Sequence, residues 1–325
     1  MTATLGTNCS ANRVLVIFPG ALGDFVCVLP AIEALAARHR GCSIELMART
    51  ELARLAVGRT VVARGHSIDA AHVSALFSES DDASLGTPDE FFASYERIYS
   101  FFASNDANFR MRLGAATDGE VSFHPFRPVD DGVNEPHITA AYLRSVGEAD
   151  APMHPRIEPT RDDVRAAADA IAKARCDLST LIAIFPGSGS PAKNWPLDKF
   201  AALARVLCEQ SSVLFILGPA ESAMEPILRE HGLRVLKDLD LGTVAGIARL
   251  AAGFVGNDSG VSHLAAAADA PGVVIFGPSD PRRWRPLGRI AVLGQRDTPD
   301  DVAAALTRIS DRHARQKAFA KKHSH

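Results

Sequence analysis

Asp258, Ser259 and Gly260 stand where an apolar run, GFVG (253–256), gives way to helical spacing, and His263 follows three residues past the glycine. Amides exposed at a helix start, with a hydroxyl and an imidazole beside them, make a socket for phosphate. The plainer reading is local: Asp258 or Ser259 caps the helix, and His263 is a satisfied surface histidine. A second turn, PGSGSPAKNWP (186–196), offers the Ser188 and Ser190 hydroxyls, flexible glycines and Lys193 as a point charge. It lacks the GxxxxGK[ST] spacing of a Walker A loop, and the earlier turn FPGALGDF (18–25) does not match the GxGxxG of nicotinamide-cofactor folds. Two anion-friendly turns in one half of the chain point to a diphosphate ligand. In FPGALGDF a lone acid, Asp24, follows the glycines, and alone it reads most simply as a helix cap. Asp238-Leu239-Asp240 imitates a DxD metal-holding element but precedes a helix, where capping by Asp240 is the expected role.

Composition bounds what can position these groups. The chain has 325 residues, 47% of them hydrophobic and 22% charged, enough for two soluble domains with large cores. A net charge of −3 argues against a general nucleic-acid surface. Cys9, Cys27, Cys42, Cys176 and Cys208 are odd in number and form no CxxC pair, which fits reduced thiols better than disulfides or zinc. The apolar run from Val14 to Ala37 is interrupted by Pro19-Gly20, Asp24, Pro30 and Glu33, so it reads as strand, turn and helix rather than as an export signal. A cytoplasmic protein is expected. Its basic last residues, 314–325, read as a disordered tail, with weak attraction to the inner membrane surface as the sharper alternative.

Strand-like runs alternate with helical ones throughout. VLVIF (14–18), SIELM (43–47) and RIYSFF (97–102) are the expected strands of the first half, and 118–136 reads as a long loop. The proline-rich APMHPRIEPT (151–160) is the candidate linker. Five strands follow: LIAIF (181–185), VLFIL (213–217), RVL (234–236), GFVG (253–256) and GVVIF (272–276). The expected fold is α/β with two Rossmann-like doubly wound domains, 1–155 and 156–313, facing across a cleft. The acid pairs at 81–82, 130–131, 162–163 and 300–301 read as solvated or capping groups.

Taken together, LGDFVCVLPAIEAL, FPGSGSPAKNWP and FVGNDSGVSHLAAAADAPGVVIFGPSDPRRW resemble glycosyltransferase family 9, the ADP-heptose:lipopolysaccharide heptosyltransferase family. The resemblance implies a GT-B fold with an N-terminal acceptor domain and a C-terminal nucleotide-sugar domain. It implies inverting transfer from an ADP-sugar, ADP-heptose as substrate and no cofactor or metal, to a glycan or lipid-linked acceptor of the cell envelope. By position, it makes Asp24 the general base. Ser188, Ser190, Lys193, Asp258, Ser259, Gly260 and His263 fall at the donor phosphates and sugar, Glu221 near the ribose, and Leu239 by the adenine. Many members carry Lys or Arg before the LGD turn, where this chain has Phe18-Pro19-Gly20-Ala21. Arg110, Arg112, Arg127, Arg144, His124 and His137 are candidate acceptor-side groups. The same motifs would also suit a nucleotide-sugar epimerase or hydrolase, or a nucleotide-sugar-binding protein without turnover.

Overall fold

A computed structural model describes residues 12–77, 88–129 and 137–322. They form two compact units. One comprises Met1–Gly20 and Ile32–Pro128, the other Ala21–Ala31 and Val129–His325, each over its described part.

In the first unit, β1 (Arg13–Ile17), β2 (Ser43–Ala48), β3 (Arg64–Ser67), β4 (Arg97–Ser100) and β5 (Glu120–Phe123) form a parallel sheet ordered β3-β2-β1-β4-β5. β1 is an uninterrupted apolar run because it is central, and Val14 to Ile17 are all buried. Helix α1 (Leu22–Arg38) begins in the residues assigned to the second unit, and α2 (Thr50–Ala56), α3 (Ala71–Ser74), α4 (Pro88–Phe92) and α5 (Ala107–Ala115) complete the first. The core is aromatic: Phe92, Tyr95 and Phe109 pack with Leu15, Met47 and Ile98.

In the second unit, β6 (Leu181–Phe185), β7 (Ser212–Leu217), β8 (Arg234–Lys237), β9 (Gly253–Asn257), β10 (Gly272–Phe276) and β11 (Ile290–Gly294) form a parallel sheet ordered β11-β10-β9-β6-β7-β8. Its helices are α6 (Ile138–Ser145), α7 (Arg161–Lys173), α8 (Leu197–Leu207), α9 (Met224–Glu230), α10 (Leu241–Leu250), α11 (Gly260–Ala267), α12 (Pro281–Trp284) and α13 (Pro299–Lys322). Thr160 and Asp163 cap α7 reciprocally, which fixes the start of a helix whose apolar face carries Ala167 and Ile171. Ile184, Phe200, Phe215, Val255, Ile275 and Leu306 are central to the core.

Several expectations change. The stretch 118–136 is not all loop, because Glu120–Phe123 pairs with β4 as an edge strand; residues 130–136 lie outside the described residues. β3 and β11 were not expected, and the second sheet has six described strands rather than five. The stretch 151–160 is no linker. Ile157 is buried and its amide donates to the Ala267 carbonyl (3.0 Å), which ties the segment into the second unit. The division expected at 155/156 therefore falls at Pro128/Val129, with 21–31 also changing side. Helix α13 continues to Lys322 through most of the segment expected to be a disordered tail. Of the acid pairs, Asp163 and Asp301 serve helix starts, while 81–82 and 130–131 lie outside the described residues. No described helix is long and apolar enough to cross a membrane.

Candidate functional site

β6 lies between β7 and β9, so chain connections leave it and β9 in opposite directions. At such a switch point the loops beyond the carboxyl ends of the two strands open a crevice. Those loops are the two anion-friendly turns: 186–196 after β6, and Asp258-Ser259 after β9, leading into α11.

A residue that the sequence did not single out joins them. Asn257, the last of β9, is fully buried. Its side-chain Nδ2 donates to the Pro186 carbonyl (2.7 Å), and its Oδ1 accepts from the Trp195 amide (2.9 Å). One amide thus pins both ends of the 186–196 turn. The only signal in sequence was a polar residue closing an apolar strand. Within the turn the Ser188 hydroxyl lies 2.7 Å from the Ser190 carbonyl and 2.6 Å from Asn194 Oδ1, and it accepts from the Ser190 amide (3.3 Å). Ser188 shapes the turn, and Ser190 supplies it with backbone groups.

Lys193 Nζ donates to Asp258 Oδ2 (2.7 Å), an ion pair in which the carboxylate is buried and the lysine partly exposed. Asp258 therefore aims a cation rather than capping α11. Ser259 takes the N-cap position of α11 without a side-chain capping bond, so the first amides of that helix are not satisfied by their own cap. Glu221 accepts from the Gly218 amide (2.9 Å) and lies against Gly187, where a Cβ would come 2.2 Å from its Oε1. The acid expected near a ribose thus borders the 186–196 turn, and a Cβ at 187 would displace its side chain. Leu239 is half-buried, preceded by Asp238 in the left-handed region (φ 56°) and followed by Asp240, which caps α10 through the Thr243 amide (3.0 Å). Among the described residues no group of three or more His, Cys, Asp or Glu could hold a metal ion.

Asp24 is the third residue of α1 and is buried. Its neighbour Gly23 meets Gly260 at backbone distance: a Cβ on Gly260 would sit 2.9 Å from the Gly23 amide nitrogen and from Leu22 Cβ. Two helix starts thus converge, with positive dipole ends together. His263 lies underneath, 5% exposed. Burial pushes its imidazole down to about 4, against the opposing pull of the Asp258 and Asp24 carboxylates. The Cys27 thiol, pushed up to about 12 by burial and then by Asp24, lies 3.5 Å from His263 Nδ1. A protonated thiol facing a neutral imidazole donates to it, while a ring N–H donates to the Trp284 carbonyl. His263 is therefore a buried strut and not the surface histidine of the plainer reading. His137 does similar work, accepting from the Thr139 amide (3.2 Å) and donating to the Arg285 carbonyl (2.8 Å).

A sequence model of glycosyltransferase family 9 (heptosyltransferase) matches residues 133–300. Among curated proteins, the lipooligosaccharide heptosyltransferase 2 of Haemophilus ducreyi is 34% identical over 125 residues, 35% of this chain and 36% of that protein. The chain spans about a third (36%) of the length of the curated relatives it matches first. Among solved structures, a family 9 glycosyl transferase from Veillonella parvula superposes with a TM-score of 0.74 at 17% identity, covering 93% of this chain and 97% of that one. The ADP-heptose lps heptosyltransferase II of E. coli gives 0.71 at 20% identity, covering 93% and 99%. At such identities the likeness establishes the fold.

Proposed function

Because the chain belongs to glycosyltransferase family 9 and has its GT-B fold, we propose that it is an inverting glycosyltransferase. It moves a heptose from an ADP-sugar to a lipopolysaccharide-core or other cell-envelope glycan acceptor. The observation that carries this reading is the meeting of the α1 and α11 starts, with Asp24 in the first turn of one and the Lys193–Asp258 pair beside the other. A base and an anion socket then share one unit. The heptosyltransferase family and the curated heptosyltransferase relatives support a heptose donor.

In the proposed step the acceptor hydroxyl gives its proton to Asp24 as its oxygen bonds to the anomeric carbon. The bond from that carbon to the diphosphate breaks on the opposite face. Charge growing on the leaving phosphate is met by Lys193 and by the amides at the start of α11, both held before substrate arrives. His263, neutral above pH about 4, acts by holding α1 against α11 rather than as a cation. Electrostatics of this kind suffice without a divalent metal, so turnover should survive chelator. The acceptor would bring the protein to the inner face of the cytoplasmic membrane.

The test is Asp24→Asn assayed beside donor binding. Transfer should fall by roughly 10²–10⁴-fold, the range for losing a general base. The thermal shift given by ADP-heptose should remain, about 2.7 kcal/mol at a hundredfold excess over its dissociation constant. Near-normal transfer by this variant would remove Asp24 from the role, and the absence of a shift with any ADP-sugar would remove the donor assignment.

A further inference from the structure

We infer that Cys27 is a positioning residue for the transfer step. Its thiol fixes the tautomer of His263, and through that ring it seats the first turn of α1, which carries Asp24, against the start of α11. The kinetic consequence rests on the transferase reading; the choice of tautomer does not.

Cys27 follows Asp24 by three residues on α1, so both side chains lie on one face of the helix. His263 follows Gly260 by three on α11 in the same way. The two helices therefore meet in layers. In the outer layer Gly23 faces Gly260, where a Cβ on Gly23 would come 3.4 Å from the Gly260 Cα. In the inner layer the Cys27 sulfur lies 3.5 Å from His263 Nδ1. Cys27 and its chain neighbours Val26 and Val28 are buried, so bulk solvent does not compete for this contact.

A third helix closes the inner layer. Thr139, in the first turn of α6, is fully buried, and its hydroxyl has no ordinary hydrogen-bond partner among the described residues. It acts on the Cys27 sulfur, a weak acceptor. A hydroxyl directed at the sulfur lone pairs leaves the S–H free to point at the ring. Beyond the ring stand two consecutive carbonyls at the end of α12. His263 donates to that of Trp284, and His137, at the start of α6, donates to that of Arg285 (2.8 Å). Four helices thus meet on one thiol and two imidazoles.

The chemistry leaves the thiol one role. Burial, and then Asp24, push it up to about 12, so at neutral pH it stays protonated and is neither a nucleophile nor a metal ligand. A neutral imidazole has one donor and one acceptor nitrogen. With Nδ1 accepting from the thiol, the ring N–H stands on Nε2, where the Trp284 carbonyl takes it. Without the thiol nothing selects this tautomer. The other one, with its proton on Nδ1, leaves the Trp284 carbonyl without its donor. The Lys193–Asp258 pair and Asn257 hold the two anion turns with no help from Cys27, so its loss falls on the seat of Asp24 rather than on the donor site.

Long-range proton–nitrogen NMR correlation spectra of the full chain, with nitrogen-labelled histidine, read the tautomer directly. The His263 signals are assigned by their absence from His263→Gln. Wild type and Cys27→Ser, which keeps a donor, should carry the proton on Nε2 alone, whereas Cys27→Ala should show a mixture or the Nδ1 form. ADP, followed by calorimetry, should bind Cys27→Ala within about twofold of wild type. In the transfer assay kcat should fall about tenfold in Cys27→Ala, as it does when catalytic groups are displaced slightly, and recover in Cys27→Ser. The double variant with His263→Gln should lose no more than His263→Gln alone. An unchanged tautomer in Cys27→Ala overturns the assignment of the thiol. An unchanged kcat, or losses that multiply in the double variant, overturns the positioning role. If wild type binds ADP and shows the expected tautomer yet transfers no sugar, the transferase reading fails and the thiol keeps only a structural part.

Discussion

Two buried titratable side chains, one in each unit, are held by opposite means. In the first unit, Glu45 on β2 is 1% exposed and ionised. Arg13 Nε and Nη2 donate to it at 2.9 and 2.8 Å, the Tyr95 hydroxyl at 2.8 Å, and His66 Nε2 lies 2.7 Å from Oε2. Burial alone would raise its carboxyl, but the bonds from Arg13, His66 and Tyr95 together hold it at about 2. In the second unit His263 is sheltered too and stays neutral, because burial removes water and its ring meets a thiol and a carbonyl rather than enough acceptors to replace water around a cation. Asn257 follows the same neutral pattern, its amide matched to one carbonyl and one N–H. A buried group keeps its charge only where enough partners replace water.

The largest effect comes from breaking the charged centre. Glu45→Gln keeps the shape but leaves Arg13 without its carboxylate, and should cost about 3–5 kcal/mol in denaturant unfolding. A loss under about 1 kcal/mol would mean that water already screens the pair. The mirror-image change puts a charge into the neutral network around Asn257. Asn257→Asp faces a carboxylate toward the Pro186 carbonyl and should cost about 3 kcal/mol at neutral pH. Protonation would restore the missing donor, so this variant should gain stability relative to wild type on mild acidification. A deficit that stayed constant with pH would show that the carboxylate finds solvent.

Much of this contrast lay beyond sequence reading. The second sheet was legible because LIAIF, VLFIL, GFVG and GVVIF are continuous apolar runs closed by Gly, Pro or Asn. The first was harder. β3 reads RGHS, and its His66 is paired by Glu45 from the neighbouring strand, which no local pattern reveals. β5 reads EVSF on the sheet edge, where only half-burial is required, and the Gly and Pro around it signalled loop. Lys193, Asp258, Gly260 and Asp24 could be picked out as candidates because each lies in or beside a glycine-containing turn. Asn257, Cys27 and Gln295 were not, since each works through partners dozens of residues away.

Acid should separate the two strategies. A histidine whose folded pKa is depressed from 6.5 to about 4 contributes stability that is full above 6.5 and disappears as pH falls through that window, in total about 3 kcal/mol. Glu45, depressed from 4.5 to about 2, loses its contribution, of similar order, only below pH 4.5. Both tryptophans, Trp195 and Trp284, belong to the second unit, so their fluorescence reports that unit alone. During acid titration their signal should change before the far-UV circular dichroism of the whole chain does. His263→Gln should flatten the segment between 6.5 and 4. Simultaneous transitions by both probes, unaffected by that variant, would erase the distinction.

The smallest effect probes whether the neutral network serves stability or the site. Gln295 Nε2 donates to the Ala192 and Asn194 carbonyls (3.0 and 3.2 Å), and its own carbonyl accepts from Trp195 Nε1 (3.2 Å) and Lys199 Nζ (3.1 Å). Gln295→Ala removes only the first two bonds. Ala192 is exposed and Asn194 half-exposed, so water can replace the lost donor and the cost should stay near 1 kcal/mol. The turn that carries Ser188 and Lys193 would nevertheless lose one of its two clamps, while Asn257 keeps the other. If preorganisation of that turn serves donor binding, the donor KM should rise several-fold with kcat nearly unchanged. A fall in kcat with KM intact would instead assign the clamp to the step in which charge develops on the leaving phosphate, since only interactions stronger in the transition state affect that step.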